Sequence, residues 1–245
     1  EARSPLSLWD YEPVDATFLD KTLRLPDSGE GADPPMYLAS MGIYVFKKRV
    51  LFETLNNIFP NVVDTLNVVA YNFSDFWMEI NTVKSYFEAQ ILLANEASLF
   101  FDVMPSYTEP KYLPASRVER CKVDRSVINQ GCILVECELE SSIIGLRQVI
   151  KGSRIQNSVL EGSDTYEDPE EVQALVKAGK VPLGVGEGCV IQNAIISKNC
   201  RIGRNCTITN EGGVQRAEFL EYGFCIQDGV IVITPGTTLA DGTVI

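Results

Sequence analysis

Residues 190–210 read VIQNAIISKNCRIGRNCTITN. Val190, Ile196, Ile202 and Ile208 recur every sixth residue. Ala194, Cys200 and Cys206 follow the first three of them at four places, again six apart. A helix asks for spacings of three and four, and a lone strand for alternation. A six-residue period marks a coil of short parallel strands with a turn at every sixth residue, the hexapeptide β-helix. The aliphatic residue of each repeat is expected inside the coil and the small residue at its tight corner. Equivalent positions then stack at the strand spacing of about 4.8 Å. A chance run of Ile in a β-rich loop does not produce two interleaved series.

Outward from this block the same spacing recurs. Val127, Ile133 and Leu139 are six apart, and Ile143, Val149 and Ile155 repeat it in a shifted phase. Ile226, Val232, Thr238 and Val244 form a further series, with Gly236 and Gly242 at its corners. The repeat is placed over 121–245, a solenoid in which each coil is stabilised by its neighbours. It has two interruptions. The first, 161–188, carries helix signals: Asp168 as cap, Pro169 in the first turn, Glu170 and Glu171 at the positive end, Gly179 as stop. Val172, Leu175 and Val176 are its expected buried side. The second, 211–223, reads as a polar loop or bulge.

The first 99 residues read differently. Pro5, Pro13, Pro26, Pro34 and Pro35 break up 1–36. Tyr37–Phe46 is a buried-strand candidate. A short helix follows, with Val50, Leu51, Leu55, Ile58 and Phe59 on one face and Pro60 as its stop. Residues 62–73 are again β-prone. Thr82 is a plausible N-cap for a helix whose apolar stripe is Val83, Phe87, Ile91 and Ala94. This alternation predicts part of an α/β layer over 1–99, then a Pro-rich linker at 100–120.

Length and composition bound the function. The chain has 245 residues, 45% of them hydrophobic, and a net charge of −12. The acidity argues against nucleic acid or an anionic membrane as partner. No apolar run reaches a membrane span, and no signal peptide is recognisable. The chain starts at Glu1 rather than Met, which leaves room for a preceding piece. His is absent, which removes Ser-His-Asp, Cys-His and His-metal chemistry together. The seven Cys form no C-x-x-C pair. Cys132, Cys137, Cys189, Cys200 and Cys206 lie in repeat segments and are expected as reduced, buried small residues of an intracellular or organellar protein. A redox role for Cys121 is the lesser alternative.

Several longer stretches resemble one family. YLASMGIYVFKK (37–48), FWMEINTVKSYFEAQILL (76–93), YTEPKYLP (107–114), SSIIGLRQVIKGS (141–153), GSDTYED (162–168) and GKVPLGVGEG (179–188) are similar, in order, to glucose-1-phosphate adenylyltransferase of plants and algae. ISKNCRIGRN (196–205) and DGTVI (241–245) extend the likeness. The helix-bearing insert followed by VPLGVGEG is more specific than the repeat. The resemblance implies an α+β chain, a partial α/β nucleotidyltransferase followed by a left-handed parallel β-helix. It implies an enzyme family that makes ADP-glucose and pyrophosphate from ATP and glucose 1-phosphate for starch or glycogen. It implies homologous subunits in a homo- or heterotetramer, a phosphorylated-metabolite or phosphate effector, and a plastid stroma location, with cytoplasm as the alternative.

The same resemblance assigns residues. Ser40 matches a sugar-phosphate contact. Glu79, in Trp77–Thr82, matches a Mg²⁺-holding carboxylate, although the family has the shorter Asp there. Lys111, Arg147 and Lys198 match basic positions of the effector region, and another basic position falls on Pro235. A phosphate ester needs several donors converging on it, with Arg gripping two oxygens and Lys acting as a point charge. No Gly-rich nucleotide loop of the family's GGGxGTRL type occurs in the sequence, so catalysis by the chain alone is not expected. Two other readings compete. One is a β-helix with a purely structural role. The other is a hexapeptide acyltransferase, which the lack of a His base opposes.

Overall fold

The computed structural model describes residues 41–48, 71, 73, 76–96 and 109–245. The chain divides into two compact units, 1–74 and 75–245. In the first, residues 41–46 of the expected strand are described, and no strand is assigned to them among the described residues. Ile43 and Val45 are 72% and 97% exposed there, in contrast to the buried strand expected. The helix expected over 50–59 and nearly all of 62–73 lie outside the described residues.

The second unit is a parallel β-helix with one helix laid along its side. Its strands form three sheets, of six, five and seven strands. Each turn of the chain adds one strand to each sheet, so like residues stack. Leu134, Ile150, Val185, Ile202 and Leu239 form one buried column. Leu139, Ile155, Ile191 and Ile208 form the second. Ile144, Leu160, Ile196 and Ile233 form the third. All lie in one apolar core.

The columns correct the expected phase. Val190 is 39% exposed and points outward, while its neighbour Ile191 is fully buried. Ile133 and Val244 are likewise exposed. The reason is the length of the turn. Leu134 pairs with Ile150, Leu139 with Ile155 and Ile144 with Leu160, so the early turns hold 16 residues. Two sides of the triangle thus advance by five and one by six. Val185 pairs with Ile202 and Ile191 with Ile208, one residue more per turn. A strict six-residue series therefore slips from the inner to the outer face after a side or two.

The corners explain the small residues. Ser126, Ser142, Ser158 and Ala194 follow one another up one edge. Ser142 Oγ donates to the Glu140 carbonyl (2.7 Å) and accepts from the Ser158 N–H (3.1 Å). The Ala194 N–H in turn donates to Ser158 Oγ (3.3 Å). Buried backbone donors must be satisfied, and a short hydroxyl does this within the corner. Cysteine fills equivalent places: Cys132 Sγ donates to the Gly145 carbonyl and Cys189 Sγ to that of Gly203, both at 3.0 Å. All seven cysteines are unpaired, and six are buried. Burial pushes the Cys189 and Cys200 thiols up to about 11, so they stay protonated at neutral pH. Asn157, Asn193, Asn199 and Asn205 take the left-handed turns, with φ of 45–61°. Asn tolerates that region better than most L-residues.

Helix α1, Val83–Asn95, starts as expected. Thr82 Oγ1 accepts from the Ser85 N–H at 3.0 Å, and Ser85 Oγ accepts from the Thr82 N–H at the same distance. Phe87 and Ala94 are buried against Ile143, Val159, Ile195 and Val230. These four sit on the outer face of the seven-stranded sheet. α1 is thus part of the same compact unit as the coil. Tyr86 adds a polar tie, its hydroxyl donating to Glu161 Oε1 at 3.3 Å. Burial first, and then the Glu161 carboxylate, raise the Tyr86 phenol.

The two interruptions differ. Helix α2, Pro169–Lys177, follows the sequence signals, with the Asp168 N–H donating to Glu171 Oε2 and Gly179 at φ 68°. Its expected buried side is only partly covered, with Val172 and Leu175 half-buried and Val176 44% exposed. Residues 211–223 are more than a polar loop. Arg216–Phe219, Phe224–Gln227 and Val230–Ile233 form an antiparallel meander that extends the seven-stranded sheet. Ile226 therefore reaches the core from an antiparallel strand rather than from a coil repeat.

Candidate functional site

One edge of the coil carries two of the candidate basic residues, Arg147 and Lys198. Backbone N–H groups of Gly131, Arg147, Ser163, Asn199 and Gly236 donate to the carbonyls of Pro114, Gln130, Leu146, Gly162 and Lys198. These five bonds are the rungs of a single corner. Arg147 occupies it with φ 56°. That backbone turn swings its side chain along the edge. Its Nη1 donates to the Ser163 carbonyl at 3.2 Å, and its guanidinium lies 5.8 Å from the Tyr166 ring centroid. The Tyr166 hydroxyl donates to the Gly131 carbonyl at 3.0 Å, which holds the ring in place.

Lys198 arrives from the next turn of the coil. Its Nζ lies 3.4 Å from Asp164 Oδ1. Asn199 Nδ2 donates to Asp164 Oδ2 at 2.8 Å, and the Asp164 N–H donates back to Asn199 Oδ1 at 2.9 Å. The Asn199 bond, the Lys198 charge and the more distant Arg147 charge hold the Asp164 carboxyl below its ordinary value. The interaction is therefore complete above the ordinary aspartate pKa and is lost as pH falls through the lowered one. Lys198 thus pairs with an exposed carboxylate on the edge along which the Arg147 guanidinium also lies.

Lys111 belongs to the beginning of the same edge, three residues before Pro114. It is exposed and its ammonium forms no ion pair among the described residues. Pro235 sits on the next rung beyond Lys198, beside Gly236. Resemblance points to Arg147 and Lys198 but not to Asp164, Tyr166 or Asn199, although all three lie in the family-like stretches GSDTYED and ISKNCRIGRN. Their part in the corner depends on the insert folding back onto it.

Residues 111–244 match the family described as the GLGC left-handed parallel beta-helix domain. The chain belongs to that family. A curated relative extends the likeness upstream: the large subunit 1 of glucose-1-phosphate adenylyltransferase from Zea mays, described as chloroplastic/amyloplastic. It is 41% identical over 224 residues, covering 85% of this chain and 43% of the relative. The chain spans less than half the length of that relative. The coil of this GLGC-type domain is left-handed.

The remaining candidates of the GLGC-type chain lie elsewhere. Ser40 lies outside the described residues. Glu79 is exposed just before α1. No group of three or more Cys, Asp or Glu is placed to hold a metal ion among the described residues. A single solvent-facing carboxylate does not fit Mg²⁺, which wants an ordered octahedral set. A cavity of about 610 Å³ opens between the start of α1 and the coil, lined by Thr82, Tyr86, Glu161, Ser197 and Asp228 among others. Its carboxylates disfavour an anion. A second, of about 450 Å³, lies under α2, where Arg201 pairs with Glu167 at 2.6 Å. That pair seats the insert.

Proposed function

We propose that the chain acts as part of, or as a diverged subunit of, a glucose-1-phosphate adenylyltransferase in plastid starch synthesis. It associates with homologous subunits and carries a site for phosphate or a phosphorylated metabolite at the corner of Arg147 and Lys198. The supporting observation is that these two cations, distant in sequence, lie on the rungs of one corner, Lys198 paired with Asp164 and Arg147 bonded to the Ser163 carbonyl next to it. That carboxylate occupies the cationic corner until an anion displaces it. Lys111 stands at the head of the same edge as a third point charge. Pro235 supplies no charge on the last rung, which weakens the corner. The catalytic step, joining ATP and glucose 1-phosphate to give ADP-glucose and pyrophosphate, is assigned to subunits that carry the Gly-rich loop. The maize relative, described as a chloroplastic/amyloplastic large subunit of glucose-1-phosphate adenylyltransferase, supports both the enzyme family and the plastid reading.

Calorimetric titration of the chain with inorganic phosphate tests the site. Arg147→Ala and Lys198→Ala each remove a charge-assisted contact, and affinity should fall by about tenfold. Asp164→Asn should tighten binding severalfold, because the competing carboxylate is gone. Equal affinities in all four proteins would leave a structural β-helix without ligand. ADP-glucose formation by the chain, alone and mixed with a catalytic subunit of the family, tests the rest. Silence alone together with a phosphate response altered in the mixture is the expected pair of results.

A further inference from the structure

The cavity between the start of α1 and the coil holds polar groups without partners among the described residues. Ser197 follows the strand Ala194–Ile196 and, by alternation, faces outward with Ile195. It is only 9% exposed and lines the cavity, and its hydroxyl forms no hydrogen bond among the described residues. A buried hydroxyl left unpaired costs free energy, so the site favours a ligand that pairs with it. Asp228 and Glu161 add two carboxylates. Asp228 sits in the two-residue turn before Val230–Ile233, with φ of 52° followed by 79° at Gly229, as the tightest hairpins require. It has no ion pair or hydrogen-bonded side-chain partner among the described residues. Glu161 Oε1 accepts from the Tyr86 hydroxyl, and Oε2 has no partner among the described residues. No described Lys or Arg lines the cavity.

The sheet register sets the two carboxylates apart. Val159, Ile195 and Val232 stand at one level of three parallel strands. Glu161 lies two residues beyond that level, beside Ser197, and Asp228 lies four residues before it. The carboxylates therefore approach the cavity from opposite ends of the strands. Ile195 and Val232 line the stretch between them, with Val83 of α1 packed over it. The space, about 610 Å³, is acidic at both ends and apolar in the middle. That volume falls within the range of small-molecule sites.

We propose that this cavity binds a linear di- or polyamine, with one terminal ammonium at Glu161 and Ser197 and the other at Asp228. An ammonium brings three donors and no acceptor, which suits two carboxylates and a hydroxyl that lack donors. The methylene stem lies over Val83, Ile195 and Val232, as the stem of a lysine does on an apolar surface. A neutral polyol leaves the two negative charges uncompensated, and an anion is repelled by them. The site uses none of the residues of the corner formed by Arg147 and Lys198, and it stands or falls separately from the function proposed above.

Calorimetric titration of the full chain with spermidine tests it, beside butylamine and 1,4-butanediol at the same ionic strength. Spermidine should bind. Butylamine, with a single ammonium, should bind about tenfold more weakly or worse, and the uncharged diol should give no binding heat. Glu161→Gln and Asp228→Asn should each weaken spermidine by about tenfold, and Ser197→Ala severalfold. Glu211→Gln removes an exposed carboxylate outside the cavity and should leave the affinity unchanged. The amide substitutions keep the side-chain shape, and circular dichroism checks that the fold is retained. The chain carries a net charge of −12, so equal losses in Glu211→Gln and in the cavity variants would mean unspecific attraction and overturn the site. Absence of spermidine binding, or a diol that binds as well as spermidine, overturns it too.

Discussion

Ile191→Ala is expected to lower stability by about 3–4 kcal/mol, while Val190→Ala changes it by less than about 0.5 kcal/mol. Both are neighbouring β-branched residues of one three-residue strand, Val190–Gln192. Ile191 is fully buried, between Ile155 on one turn and Ile208 on the next. Truncation there loses transfer energy and leaves a void that stacked strands cannot close, because their spacing is set by backbone hydrogen bonds. Val190 stands on the outer face and loses little. Urea unfolding of the two variants, compared at equal slope, decides between the two registers. A large loss at 190 with a small one at 191 would restore the strict six-residue phase and overturn the columns described above.

Gly145→Ala is expected to cost about 3 kcal/mol, near the top of the usual range for overpacking. A Cβ at this position would lie 2.3 Å from the Glu161 carbonyl carbon and oxygen and 2.6 Å from the Leu160 oxygen. These are backbone atoms of the strand Val159–Gly162, stacked directly on Ile143–Leu146, and they have no rotamer to yield. The strand can only be pushed outward. That also shifts Glu161, whose carboxylate holds the Tyr86 hydroxyl of α1. A drop in the thermal midpoint with weaker protection of the α1 amides from hydrogen exchange is the expected signature. Gly212→Ala is the control. Its nearest neighbour would be a Val214 methyl at 3.7 Å, so its stability should stay within about 0.5 kcal/mol of wild type.

The coil and its helical insert were legible in the sequence, whereas the coil's first strand, Arg117–Glu119, falls inside the stretch read as a linker. Stacked identical positions leave a period, and Asp168, Pro169 and Gly179 mark a helix by local backbone chemistry alone. The starts of α1 and α2 were legible for the same reason, since a cap involves residues three apart. The basic corner was half legible. Arg147 and Lys198 stood out through resemblance, but Asp164 and Asn199 gain their meaning only when turns separated by the insert lie side by side.

What the sequence by itself determined was the class of fold, because a repeated pattern of aliphatic and small residues has few ways to bury itself other than by stacking. What only the tertiary structure decided was which aliphatic residue faces inward. Ile143, Val159, Ile195 and Val230 are as apolar as the core columns, yet they lie on the outer face and are buried because Phe87 and Ala94 of α1 cover them. With apolar residues on both faces of a short strand, alternation no longer separates inside from outside. The phase is then set by the five-, five- and six-residue sides of the turn and by the helix laid across them.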